Sequence, residues 1–101
     1  MKMIGIDIIA VKRFKKKKDS FLNKIFSVRE LTEARKNNER LAGKWAAKEA
    51  AFKAGLKYAN HEIEIISENK KPYIFINGEK TNHLVSISHD RDYATAVVFI
   101  I

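Results

Sequence analysis

Leu41–Gly55, LAGKWAAKEAAFKAG, reads as one long helix that is apolar nearly all the way round. At about 100° per residue, Leu41, Trp45 and Phe52 fall within a narrow arc, and the opposite side is mostly alanine. Such a helix must be packed on several sides rather than rest on a surface. Charged groups on it then need a reason, because an unpaired charge is costly to bury. Glu49 and Lys53 lie one turn apart. As an i,i+4 ion pair they would contribute roughly a few tenths of a kcal/mol. In an alanine-rich setting with little water they would instead form part of a site that handles phosphate and metal. Spacing leaves both readings open.

Upstream, Met3–Ile9 (MIGIDII) is a short apolar run rich in β-branched residues and predicts a buried strand. Lys12–Lys24 is basic and predicts a helix, with Phe14, Phe21, Leu22 and Ile25 available for its apolar face. Ser27-Val28-Arg29-Glu30 fits a capping box, so a second helix should start after Ser27 and run to about Lys36. Asn37-Asn38 is a weak break before the central helix, and Gly55 is its stop. Downstream the texture alternates. Glu62–Ser67 and Pro72–Ile76 predict strands joined through Asn69-Lys70-Lys71, and Asn77-Gly78 is a turn signal. Leu84–Ser88 and Tyr93–Ile101 predict a hairpin across His89-Asp90-Arg91-Asp92. Strand, helices, then strands give an α+β class, with a largely antiparallel sheet packed on the central helix.

The 101 residues suffice for one domain, 1–101, with a modest core that an oligomer would complement. Cysteine is absent, which removes disulfides and thiolate metal sites. No run reaches the length of a membrane span, and the first residues carry no signal-peptide pattern, so a cytoplasmic location is expected. Twenty Lys and Arg against 12 Asp and Glu give a net charge of +8, which implies an anionic partner.

Few residues are placed to carry chemistry. Asp7 interrupts an apolar strand, either as an N-cap for the following helix or as a metal ligand at a strand end. Glu49 would then be the second carboxylate, since Mg²⁺ commonly takes one or two carboxylates plus phosphate oxygens and water. Lys53 would face phosphate. His89, at the mouth of the hairpin, is either structural or a hydrogen-bond donor to phosphate. The cluster Lys15–Lys18, with Arg13, Phe14, Phe21 and Lys24, suits an acidic helix of a partner protein or, as the alternative, nucleic acid. No phosphate-binding glycine loop, dinucleotide fingerprint or serine nucleophile elbow is present.

Together, GIDII with Lys12-Arg13, FSVREL at Phe26–Leu31, RLAGKWAAKEAAFKA at Arg40–Ala54, KPYI at Lys71–Ile74 and SISHDRDYATAVV at Ser86–Val98 resemble the short bacterial type of 4′-phosphopantetheinyl transferases, the holo-[acyl-carrier-protein] synthases. The blocks run in family order over nearly the whole chain. The resemblance implies transfer of the phosphopantetheine arm of coenzyme A to a serine of apo-acyl carrier protein, releasing adenosine 3′,5′-bisphosphate. It implies Asp7 and Glu49 as ligands of Mg²⁺, and Asp7, Glu49 and Lys53 as the catalytic set. Lys53 and His89 would contact the phosphates of coenzyme A, with Lys44 and Lys48 near them. Arg13, Lys16, Lys17, Phe21 and Lys24 would receive the carrier protein. A homotrimer with active sites at subunit interfaces is implied, and neither a membrane nor a nucleic-acid partner. The alternatives are a small nucleic-acid-binding module and a non-catalytic coenzyme A-binding domain of the same fold. The chain departs from the family pattern at Gly55–His61, which lacks the usual glycine-rich loop, and in its lysine cluster, where arginines are usually spread.

Overall fold

Small residues set how closely the elements approach the central helix. In the computed structural model, which describes residues 3–101, that helix is α3 (Asn38–Ala54) and it crosses strand β1 (Ile4–Ala10) at Gly5. A Cβ at Gly5 would lie 2.0 Å from the Ala50 carbonyl oxygen, so no other residue fits without moving the strand. A second close approach lies toward the other end of α3, where a Cβ on Gly43 would come within 2.9 Å of an Ile87 methyl. Ala42, Ala46, Ala47, Ala50, Ala51 and Ala54 are all buried. The helix is thus packed on several sides, as its composition demands.

The chain continues from β1 through a 3-10 turn (Val11–Phe14) to α1 (Asp19–Ile25), α2 (Val28–Ala34) and α3. Strands β2 (Ile63–Glu68), β3 (Lys71–Ile76), β4 (Glu79–Lys80), β5 (Leu84–His89) and β6 (Tyr93–Phe99) follow. They form two three-stranded sheets, ordered β1-β6-β5 and β2-β3-β4, with every pairing antiparallel. The α+β class stands, but the strands divide between two sheets. The first strand pairs with the last, Ile4 opposite Phe99 and Asp7 opposite Ala96. That long-range pairing closes the fold around α3, which packs against β1, β6 and β5 as well as α2 and β2.

Local signals hold where the chemistry is specific. Ser27 Oγ accepts from Glu30 N–H at 3.2 Å, and Glu30 Oε1 accepts from Ser27 N–H at 3.0 Å, which is the capping box. Asn37 Oδ1 accepts from Arg40 N–H at 2.9 Å, so α3 starts a little before Leu41. Gly55, at φ 124, ends it. Asn77 and Gly78 both have positive φ and turn β3 into β4, as two-residue hairpin loops require.

The basic segment differs from expectation. The helix expected over Lys12–Lys24 is broken: Lys15–Lys18 lie outside any helix, and α1 begins only at Asp19. Like charges repel along a helix face, and Lys16 adopts φ 60, which a helix forbids. The apolar positions still reach the core, with Phe14 and Ile25 buried and Phe21 and Leu22 packed against it.

Candidate active site

Alternation along β1 directs Gly5 and Ile9 inward, both buried, and Asp7 between them points to the same side. Because β1 is an edge strand, Asp7 overhangs the margin of α3 instead of entering the core. Its Oδ1 accepts from Lys53 Nζ at 2.8 Å, and Lys53 also donates to the Ile6 carbonyl at 3.3 Å. Asp7 caps no helix; Ala10 precedes the 3-10 turn. Thr95 Oγ1 donates to the Asp7 carbonyl at 2.9 Å and fixes the strand at that residue.

Glu49 lies one turn before Lys53 but does not pair with it. Its Oε1 instead accepts from Trp45 Nε1–H at 3.1 Å. Asp7 therefore meets Lys53 where β1 crosses the C-terminal half of α3, and Glu49 stands one turn before Lys53 on that helix. Beside Glu49 opens a cavity of about 300 Å³ whose apolar lining includes Phe52, Leu56 and Tyr58. The two carboxylates offer oxygen donors only, the set a hard cation such as Mg²⁺ prefers. Among the described residues no three His, Cys, Asp or Glu converge on one point. Two carboxylates with the remaining positions left to water and phosphate oxygens would suit Mg²⁺.

Lys44 and Lys48, on a different face of α3, turn inward. Lys48 Nζ lies 2.7 Å from Glu30 Oε1 and donates to the carbonyls of Asn60 at 2.6 Å, Ile63 at 2.8 Å and Ile25 at 2.9 Å. Four oxygens occupy an ammonium with three protons, so the expected place of Lys48 beside a phosphate is corrected: its charge is spent in the interior. Burial pushes the Glu30 carboxyl above its ordinary range, opposed by the charge of Lys48. Burial pushes Lys48 down, opposed by Glu30. Lys44 Nζ pairs with Glu33 and donates to the Ile65 carbonyl at 2.5 Å, so its ammonium too is held by the protein. Glu30 was legible only as half of a capping box. Its second oxygen also accepts from Ile65 N–H at 2.8 Å, a long-range contact that no local pattern signals.

His89 occupies a second centre. Its Nδ1 lies 2.7 Å from Glu39 Oε2, and it lines a cavity of about 680 Å³ with Arg35, Arg40, Lys44 and Lys70. Glu39 and Lys53 stand on the same helix, separated by about 20 Å at 1.5 Å per residue. The His89–Glu39 pair and the Asp7–Lys53 pair thus form two separate centres along α3. The arginines and Glu39 of this cavity are residues that sequence reasoning missed, because only the fold brings α2, α3, β2 and β5 together there.

The basic segment gathers around one indole. The Arg13 guanidinium lies 4.5 Å from the centre of the Trp45 ring, and Phe14 and Phe21 meet the same ring edge-on at 5.4 and 6.0 Å. Lys17 Nζ lies 4.7 Å from the Phe21 ring centre. Lys16 and Lys24 are exposed.

The 4′-phosphopantetheinyl transferase superfamily model matches residues 3–98. The holo-[acyl-carrier-protein] synthase of Geobacillus sp. is 40% identical, with 96% of this chain and 93% of the relative covered. That of Mycoplasma mycoides is 41% identical, over 93% of this chain and 89% of the relative. The Helicobacter pylori holo-[acyl-carrier-protein] synthase, solved in complex with coenzyme A, superposes with a TM-score of 0.87 at 32% identity, covering 98% of this chain and 100% of its own. With the superfamily model matching residues 3–98, relatives about 40% identical over nearly the whole chain and the fold superposed on a solved member, the chain belongs to the 4′-phosphopantetheinyl transferase superfamily.

Proposed function

We propose that residues 1–101 form one transferase domain that moves the 4′-phosphopantetheine arm of coenzyme A onto a serine of apo-acyl carrier protein. The products are holo-acyl carrier protein and adenosine 3′,5′-bisphosphate. The serine oxygen forms a bond to the phosphorus on the pantetheine side of the diphosphate, and the bond from that phosphorus to the bridging oxygen breaks. The observation that carries this reading is the meeting of Asp7 from β1 with Lys53, one turn from Glu49, in a chain of this family. Asp7 and Glu49 would hold Mg²⁺, which when bound supplies charge neutralisation on the diphosphate. Lys53 is 52% exposed at its side chain, within reach of a bound phosphate, where its ammonium offsets the charge that develops on the leaving group. The serine loses its proton as the new bond forms, and Glu49, steadied by Trp45, is the carboxylate that would take it directly or through water.

Two observations favour a homotrimer with shared sites. The outer face of the β1-β6-β5 sheet presents Ile4, Ile6, Ile8, Leu84, Tyr93 and Phe99, each between 48% and 64% exposed. An apolar sheet face of that kind calls for a partner. A neighbouring subunit would also bring its own His89 centre to the Asp7–Lys53 site. Arg13, Lys16, Lys17, Phe21 and Lys24 form the docking region for the acidic carrier protein. The work would be done in the cytoplasm; no helix among the described residues is long and apolar enough to cross a membrane.

Incubation with coenzyme A, Mg²⁺ and several apo-acyl carrier proteins should add the mass of one phosphopantetheine arm to the carrier. Asp7→Ala and Glu49→Ala should each lower the rate by about 100-fold or more while circular dichroism stays unchanged. Absence of any mass gain across the carriers would reject the function, and near-normal Mg²⁺-dependent rates in both variants would reject the metal role.

A further inference from the structure

Trp45 is the chain's only tryptophan, and it stands between two parts of the molecule with different tasks. On one side its Nε1–H donates to Glu49 Oε1 at 3.1 Å. On the other its ring is clamped by the Arg13 guanidinium at 4.5 Å and by the edges of Phe14 and Phe21 at 5.4 and 6.0 Å. A glutamate on a helix margin would ordinarily sample several rotamers, and a metal ligand that wanders must be ordered each time the ion binds. One hydrogen bond to Oε1 from a side chain packed against three neighbours restricts that freedom and leaves Oε2 available.

We propose that Trp45 is a positioning residue for Glu49, a rigid link that holds the catalytic carboxylate in place from the Arg13–Phe21 docking segment. This deepens the transferase reading and rests on it. Arg13 and Phe21 are docking residues that also form the clamp, so a carrier protein engaging them presses on the indole that orients Glu49. Outer partners of metal ligands are worth about 10- to 100-fold in metal affinity or activity, and that range sets the expected effect.

The test uses Trp45→Phe, which keeps an aromatic ring against Phe14 and Phe21 and removes only the N–H and the second ring. Isothermal titration of Mg²⁺ into protein saturated with coenzyme A should show about 10-fold or more weaker binding in Trp45→Phe than in the unaltered chain. Binding of coenzyme A without metal should change less than about two-fold. In the transfer assay kcat should fall by about 10-fold or more at limiting Mg²⁺ and recover as Mg²⁺ is raised, with the KM for coenzyme A nearly unchanged. A merely structural defect would not be rescued by the ion. Equal Mg²⁺ affinity in the two proteins overturns the positioning role while leaving the transferase standing. No Mg²⁺ binding by the unaltered chain overturns the metal reading and the positioning role together. Should the variant fold poorly, the emission of Trp45 in the unaltered chain decides: it should shift when Mg²⁺ is added with coenzyme A, and Glu49→Ala should abolish the shift. Emission that ignores the ion would overturn the proposal.

Discussion

Gly5→Ala probes how far the active site depends on the close crossing of β1 and α3. A methyl group at this position would lie 2.0 Å from the Ala50 carbonyl oxygen and 2.7 Å from the Ala54 amide nitrogen. Ordinary contact begins near 3.4 Å, so strand and helix would have to separate by about 1.4 Å, and close-packed interiors resist such shifts. Both obstacles are backbone atoms of a helix, which no rotamer change can move aside. On propensity alone the change should help, since glycine within a strand costs roughly 0.5–1 kcal/mol relative to alanine. Overpacking costs about 1–3 kcal/mol and outweighs it. With a rigid backbone as obstacle, a net loss of about 2 kcal/mol is expected, and a fall in Tm of roughly 10 °C for a domain of this size.

The catalytic effect should be larger than the effect on stability. Asp7 lies two residues along the displaced strand, and its 2.8 Å contact with Lys53 would open by a comparable amount. A misplacement of about 1 Å at a reacting centre can cost about 100-fold. Thermal melts at fixed protein concentration and the carrier mass-gain assay measure the two effects on one preparation. A Gly5→Ala protein as stable and as active as its parent would refute the crossing geometry.

Other consequences follow from the interior pair and the hairpin. Glu30→Ala should destabilise by about 3–5 kcal/mol because it removes the 2.7 Å partner of the buried Lys48 ammonium. The double variant Glu30→Gln with Lys48→Met should recover much of that loss in urea denaturation, and additive losses would contradict a coupled pair. At the hairpin, Asp90 Oδ1 accepts from Asp92 N–H at 2.9 Å and from Tyr93 N–H at 3.2 Å. These bonds hold its carboxyl below the ordinary value of 3.8. Its folded pKa is depressed, so its contribution is present above pH 3.8 and is lost as pH falls through the folded pKa. Melting temperature should fall more steeply below pH 3.8 in the parent than in Asp90→Ala, and parallel acid limbs would contradict this role.

The elements that carry the candidate site could be read from the chain because their chemistry is local or their residue types are restrictive. A carboxylate inside an apolar strand and a Glu–Lys step on an alanine helix both required explanation, and the structure brings Asp7 against Lys53. The capping box at Ser27 and the stop at Gly55 depend on neighbours within a few residues, and both hold. Long-range events were hidden. Lys48 and Glu49 are adjacent in sequence, yet a rotation of about 100° along the helix sends one to Glu30 in the interior and the other to the margin. Nothing in the Lys48 neighbourhood announces a partner from α2. The single sheet and the unbroken basic helix failed for related reasons: strand partition is decided by pairings across the whole chain, and a lysine run carries periodicity without stability. The approach of Arg13 and Phe21 to Trp45 likewise depends on where that broken segment lands.

The proposed sharing of sites between subunits is open to a complementation measurement. Asp7→Ala and His89→Ala, each close to background alone, would be co-expressed with different tags and the mixed oligomers purified through both. If Asp7 of one subunit works with His89 of a neighbour, each mixed trimer holds one intact site in three, and transfer to the carrier should return to about one third of the parent level. If both residues serve a site within one chain, no mixture contains an intact site. Activity that stays at background in verified mixed oligomers would contradict a site shared between subunits.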